Sequence, residues 1–300
     1  MGATLHVIGS LMIDRVLRVR VLPAPGETVM ARSAAIHPGG KGANQAVAAA
    51  RCGARVRMLG RTGAEGAFIV HELEAAGIDT GSVTSDDPMA GFAAVMVADD
   101  GMNAIVIAPE SNGRIDDAAI DAFLGVAERG DLLLMQNECS GLVHAVDAGS
   151  SMGLRIWLNA APMGPAVREI DLDALECLLL NEHEAAALAG CNDPPEALDR
   201  LAVRHPSLDL VVTLGSEGSI ARVGGTRLVH RPFAVKPVDT VGCGDTFVGA
   251  LAALRIEGVP WDRALRLANA AGALAALKAG AIPSIPMRDA IEAFSGRQPG

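Results

Sequence analysis

"DTVGCGDTF", Asp239 to Phe247, is the stretch on which the reading of this chain turns. Two glycines flank a cysteine, an aspartate follows at once, and the apolar run "FVGALAAL" continues as a helix. A glycine-rich turn feeding a helix leaves several backbone N–H groups without intrahelical partners. With the helix dipole they make a nest for an anion. Gly242 and Gly244 are expected to adopt positive φ at little cost and to let the backbone approach that anion closely. Asp245 conflicts with an anion site unless the carboxylate is there for chemistry. Beside a phosphoryl group in flight it can take the proton of the attacking hydroxyl. Alone, the stretch reads equally well as an aspartate N-cap among glycines.

A second glycine cluster tips that balance. "HPGGKGANQAVAAA", from His37 to Ala50, also runs from glycines into a helix. It lacks the GxxxxGK[ST] order of a P-loop. Lys41 sits in the turn and Asn44 one helical turn in, a set able to hold a polyhydroxylated ligand by hydrogen bonds.

The bounds are consistent with an enzyme. The 300 residues are half hydrophobic and one-fifth charged, enough for a sizeable core. A net charge of -10 and no Lys/Arg cluster argue against nucleic acid. Cys52, Cys139, Cys177, Cys191 and Cys243 are scattered without a CxxC pair, so neither a zinc site nor a disulfide framework is expected. The N-terminus has no signal-peptide pattern and no run suits a membrane span, so the expected location is cytoplasmic.

Along the chain, short apolar runs alternate with helical segments: "TLHVIGS", "GANQAVAAARCGA", "RVRMLGRTG", "AFIVHELEAAGI", "DLLLMQ", "SGLVHAVDAGSSM", "RIWLNAA", "LECLLLN" and "EHEAAALAG". "LDLVVTLGSEGSIARV" reads as strand, turn and strand, and two Ala-rich helices follow. This rhythm predicts an α/β fold with a mostly parallel, doubly wound sheet and helices on both faces. Two segments break it, at about 12–38 and 90–109; the second is a hairpin around "ADDGMN". They are expected to form a small antiparallel β lid within one domain spanning 1–300.

"PGGKGANQA" and "DTVGCGDTF" resemble the two signatures of the ribokinase-like (PfkB) carbohydrate kinases. "NEHE" (Asn181 to Glu184) resembles the family's N-x-x-E motif, and "VVTLGSEGS" its T-x-G-x-x-G nucleotide segment. "GSLMID", "LLLMQNE", "LANAAGA" and "GAIPSIP" fall where the family carries related segments. The resemblance covers essentially the whole chain, in order. It implies ATP-dependent phosphorylation of a sugar with Mg²⁺ and K⁺, and a homodimer formed through the lid. Asp245 would be the general base, and Gly242, Cys243 and Gly244 the anion hole. Asp14, Gly40, Lys41, Asn44 and Glu138 would bind the sugar. Asn181 and Glu184 would organise Mg²⁺ and phosphates, partly through water. Thr213, Gly215 and Gly218 would line the nucleotide site, with Gly244 beside the phosphates and Asn269 near the adenosine. Asp239, Val241, Ala276, Lys278, Gly280 and Ser284 would surround K⁺, several through backbone carbonyls. Blander readings stand beside these: Asp14 capping a turn, Glu138 a solvated loop carboxylate, Glu182 and Glu184 favoured by the helix dipole.

Met12 departs from the family, where an Asn precedes the sugar-binding Asp by two residues. Methionine cannot donate a hydrogen bond and accepts weakly, so a deoxy pentose or a shifted sugar is expected. "NAAP" (Asn159 to Pro162) departs from the usual Asn-Pro-Ala-Pro. The chain has no Tyr and only 3% aromatic residues, which disfavours a stacked nucleobase and thus a nucleoside kinase. A hexose or sugar-acid kinase and a silent sensor remain alternatives. The intact Asp245 speaks against the sensor. No G-x-G-x-x-G follows the first strand, against a Rossmann oxidoreductase.

Overall fold

The computed structural model describes residues 2–297. Its strands are β1 (Leu5–Ile8), β2 (Met12–Arg18), β3 (Ser33–Gly39), β4 (Val56–Gly63), β5 (Asp79–Asp87), β6 (Gly91–Val97), β7 (Asn103–Ala108), β8 (Leu132–Gln136), β9 (Arg155–Asn159), β10 (Cys177–Asn181), β11 (Asp209–Thr213), β12 (Ser219–Val223) and β13 (Thr226–His230). Its helices are α1 (Lys41–Arg51), α2 (Ala67–Ala75), α3 (Asp117–Leu124), α4 (Leu142–Ser151), α5 (Pro165–Glu169), α6 (Glu182–Ala189), α7 (Pro194–Arg204), α8 (Cys243–Ile256), α9 (Trp261–Ala275) and α10 (Arg288–Ser295).

Nine strands form one sheet in the order β13-β12-β11-β10-β9-β8-β1-β4-β5. From β5 to β11 every neighbour is parallel; β12 and β13 close one edge as antiparallel strands. The central strands read as unbroken apolar runs because helices cover both faces. Alternate side chains therefore enter different cores. Leu132, Leu134 and Trp157 join the core under α1, α8 and α9. Leu133, Ile156 and Leu158 join the one under α3, α4 and α6.

The residues that broke the α/β rhythm form a second sheet, β3-β2-β6-β7. Each hairpin is antiparallel, and the two meet along the parallel pair β2–β6. The first hairpin turns through Pro25 and Gly26, where φ is 82°. All five cysteines are free. Among the described residues no helix is long and apolar enough to cross a membrane.

Candidate active site

The parallel strands end on one side of the sheet in polar residues: Ser10 just past β1, Gln136, Asn159, Asn181 and Thr213. In open parallel sheets this carboxyl edge is where ligands bind. Two helix N-termini converge on it.

Helix α1 starts at Gly40, whose φ of 96° is left-handed. A Cβ there would stand 2.6 Å from the Ser10 carbonyl oxygen, so only glycine fits. The approach continues at Gly42, where a Cβ would lie 2.5 Å from the backbone of Gly9 and Ser10. The Gly42 amide donates to Ser10 Oγ at 3.3 Å, and Ser10 donates to Glu138 Oε2 at 2.5 Å. Glu138 Oε2 also accepts the Lys41 amide, 3.1 Å away. Glu138 is therefore held against the start of α1 and is no free loop carboxylate.

Helix α8 starts at Gly242 in the αL conformation, φ 75°. Gly244 has no positive φ, and a Cβ there would meet nothing within 4 Å. The conformational freedom expected of both glycines belongs to Gly242 alone. Gly244 instead keeps empty the space above the helix terminus. Of the amides expected to form an anion hole, that of Cys243 turns back to the Thr240 carbonyl at a long 3.3 Å.

Asp245 lies in the first turn of α8 and is buried. Its Oδ2 accepts from Asn44 Nδ2 at 2.9 Å and its Oδ1 from Gln45 Nε2 at 3.0 Å. The two glycine signatures, about two hundred residues apart in sequence, thus meet through side chains. The cleft over them, about 220 Å³, is lined among others by Lys41, Asn181, Glu184, Gly242, Gly244 and Asp245. Thr213, Thr240 and Gly244 also line an adjoining cleft of about 530 Å³, with Gly215, Gly218, Phe233, Asn269 and Ala276. That larger cleft is mostly apolar, as suits a heterocycle. Asn269 is anchored at its rim by donating to Ser219 Oγ and the Leu265 carbonyl. Gly218, with φ 97°, lies so close to the His230 carbonyl that no Cβ fits.

The lid places Asp14 and Met12 on β2. A strand's period of two puts both on one face. Met12 is buried between Gly39 of β3 and Gly91 of β6. Asp14 lies over Gly39, leaving no room for a Cβ there. Burial, then the charges of Glu138 and Asp245, pushes Asp14 up to about 7. Burial also raises Glu138, against the pull of Lys41 and Ser10. The carboxylate of Asp245 holds Lys41 protonated above its ordinary range. Such a crowd of acceptors around one ammonium calls for hydroxyl donors. Asn44 Oδ1, buried and without a hydrogen-bond partner, calls for one too.

Asn181 and Glu184 form a reciprocal capping box on α6, each side chain accepting the other's amide at 2.8 Å. The motif is thus a helix start as well as a candidate metal organiser. Burial, the largest cause, raises Glu184, a penalty that a nearby dication would relieve. Among the described residues no three His, Cys, Asp or Glu side chains converge as a full metal cage. Mg²⁺ here would keep several waters and phosphate ligands, its usual habit. Asp239 accepts the amides of Val241 and Gly280 at 3.0 and 2.9 Å, tying the turn before α8 to the 276–284 segment. The Ser284 hydroxyl is committed to the Ala281 carbonyl. Sequence reasoning missed Ser10, Gln45, Gln136 and Asn159. The available signal was polar residues at the ends of otherwise apolar strands, and a glutamine beside Asn44.

Comparison with known proteins agrees with this fold. The model of the pfkB family carbohydrate kinases matches residues 3–288. A ribokinase of Haemophilus influenzae is 35% identical over 298 residues, covering 96% of this chain and 97% of that protein. A deoxyribokinase of Salmonella typhimurium is 32% identical over 304 residues, with 96% of each covered. The structure of Arabidopsis thaliana ribokinase with ribose and ATP superimposes with a TM-score of 0.87 at 30% identity, over 98% of this chain and 99% of that one. The chain belongs to the pfkB carbohydrate kinase family, and is an ATP-dependent carbohydrate kinase.

Proposed function

We propose that this enzyme transfers the γ-phosphoryl group of ATP to the primary hydroxyl of a pentose, and that 2-deoxyribose is the favoured sugar. The observation that carries the reaction is Asp245, held at both oxygens beside Lys41 at the terminus of α8. The sugar lies between the lid and α1, against Asp14, Gly40, Lys41, Asn44 and Glu138. ATP lies in the larger cleft, its adenosine toward Asn269 and its phosphates passing Thr213 and Gly244. Asp245 takes the proton as the sugar's hydroxyl oxygen bonds to the γ-phosphorus and the bond to the ADP oxygen breaks in line. The amides of Gly242 and Gly244, with the positive end of α8, steady the charge on the transferring group. Mg²⁺, held through water near Glu184 and Asn181, would neutralise phosphate charge. K⁺, held near Asp239, Val241, Ala276, Lys278, Gly280 and Ser284, would add positive potential beside the anion hole. Closure of the lid excludes water from the transfer.

Met12 carries the deoxy preference. It shares the sugar-facing side of β2 with Asp14 and offers no hydrogen-bond donor and only a weak acceptor. A sugar hydroxyl buried against it loses about 1–3 kcal/mol, roughly five- to 150-fold in kcat/KM. The 32%-identical deoxyribokinase is in keeping with this. Comparing kcat/KM for 2-deoxyribose and ribose tests it: the wild type favours 2-deoxyribose, and Met12→Asn moves the ratio toward ribose. A ribose preference that Met12→Asn leaves in place would sink the assignment.

The lid also supports a homodimer. Both its edge strands expose apolar side chains, Ile36 on β3 and Ile105, Val106 and Ile107 on β7. Exposed apolar edges call for a covering strand. A reaction that consumes ATP on a free sugar is in keeping with a cytoplasmic enzyme.

A further inference from the structure

We infer that Gln45 is a positioning residue for the general base, the hub of a buried amide relay that holds Asp245 Oδ1 toward the acceptor hydroxyl. The inference rests on Asp245 being that base. Gln45 is fully buried in α1 and lines neither cleft. Its Nε2 donates to Asp245 Oδ1 at 3.0 Å and to Asn159 Oδ1 at 3.0 Å, while its Oε1 accepts from Gln136 Nε2 at 2.8 Å.

The direction of the relay is fixed at its Nε2 end by two acceptors. An ionised carboxylate can only accept, so the Nε2 end must face Asp245. Asn159 spends its own Nδ2 on the Leu179 carbonyl at 3.3 Å, which turns its Oδ1 to Gln45. Gln136 and Asn159 are register partners on β8 and β9, so the relay is clamped by the main sheet. Gly9 approaches so closely that a Cβ there would lie 2.3 Å from Gln136 Oε1. Three elements, α1, β8 and β9, thus fix one carboxylate oxygen carried by a fourth, α8.

The test is Gln45→Met, similar in size and without donors, read by kcat, KM and pH profile beside Asp245→Asn. The expected result is a kcat lower by about ten- to a hundredfold, with the sugar KM within threefold, and an acid limb of kcat moved to higher pH. The other groups facing Asp245, which are Asp14, Lys41, Glu138, Glu184 and the Cys243 thiol, are unchanged by the substitution. Gln45→Glu keeps the shape and the bond from Gln136, and its carboxyl facing Asp245 should move the limb further in the same direction. An acid limb that stays in place in both variants overturns the inference, whatever happens to kcat. Should Gln45→Met fail to fold, Gln45→Glu alone decides. If Asp245→Asn retains turnover within tenfold of wild type, it is the base assignment that fails, independently of Gln45.

Discussion

Two glycines in one motif do different jobs. Gly242 needs its left-handed φ and touches Ala281, where a Cβ would come within 2.9 Å. Gly244 needs neither, and guards the space between the two clefts. Gly242→Ala is therefore expected to cost about 1–3 kcal/mol of stability. Gly244→Ala is expected to melt like the wild type while kcat falls by roughly 10²–10³, the usual scale for disturbing an anion hole. Thermal melts and steady-state rates on the pair separate the roles; a destabilised but active Gly244→Ala enzyme would contradict them. Asp14 is the titratable counterpart. Its folded value of about 7 lies above 3.8, so between those pH values the folded chain holds a proton that the unfolded chain has lost. Stability of the sugar-free enzyme accordingly falls as pH rises through that window. Asp14→Asn removes the penalty. It should raise the melting temperature more at pH 8 than at pH 5, while weakening sugar binding. An equal gain at both pH values would show that the carboxyl is not the cause.

At the level of elements, the parallel sheet was legible because β1, β8, β9, β10 and β11 are buried on both faces and read as continuous apolar runs. The hairpin β6–β7 was legible from Asp-Gly between two β-type runs. The edge strand β5, "DTGSVTSDD", was not: it is polar and mostly exposed, so no period of two marks it. The antiparallel edge strand β13 failed for the same reason. Helix α7 begins with Pro194 and Pro195 behind an Asp193 N-cap, a start signal that sequence reading passed over. At the site, glycines, Lys41, Asn44 and Asp245 were legible because their chemistry is local to two motifs. Gln45, Gln136 and Asn159 were not, because their meaning lies in pairing across four elements. The lid carries its own prediction. Its exposed edges, β3 and β7, should pair with a second copy. Sedimentation should find a dimer, and Ile36→Lys with Val106→Lys should yield a monomer with reduced turnover. A wild-type monomer at micromolar concentration would remove the dimer from the account.

For the whole molecule, one sheet edge gathers the residues that the proposed reaction would use. The lid brings Asp14 and Met12, α1 brings Lys41 and Asn44, α8 brings its terminus and Asp245, and α6 brings Glu184. Each comes from a distant stretch of chain, so the site exists only when both sheets are formed. Charge sets its state before ligands arrive: burial raises the carboxyls of Asp14, Glu138 and Glu184, Asp14 to about 7, while the Asp245 carboxylate holds the Lys41 ammonium charged. The measurement that bears most directly on this is ATP consumption with Mg²⁺ and K⁺ over ribose, 2-deoxyribose, fructose, adenosine and pseudouridine, for the wild type and Asp245→Asn. The account predicts turnover on a pentose, 2-deoxyribose foremost. In the variant that turnover should fall by about 10²–10⁴ while the sugar still raises the melting temperature. Turnover confined to the hexose or nucleosides, or an Asp245→Asn enzyme within tenfold of wild type, would contradict it.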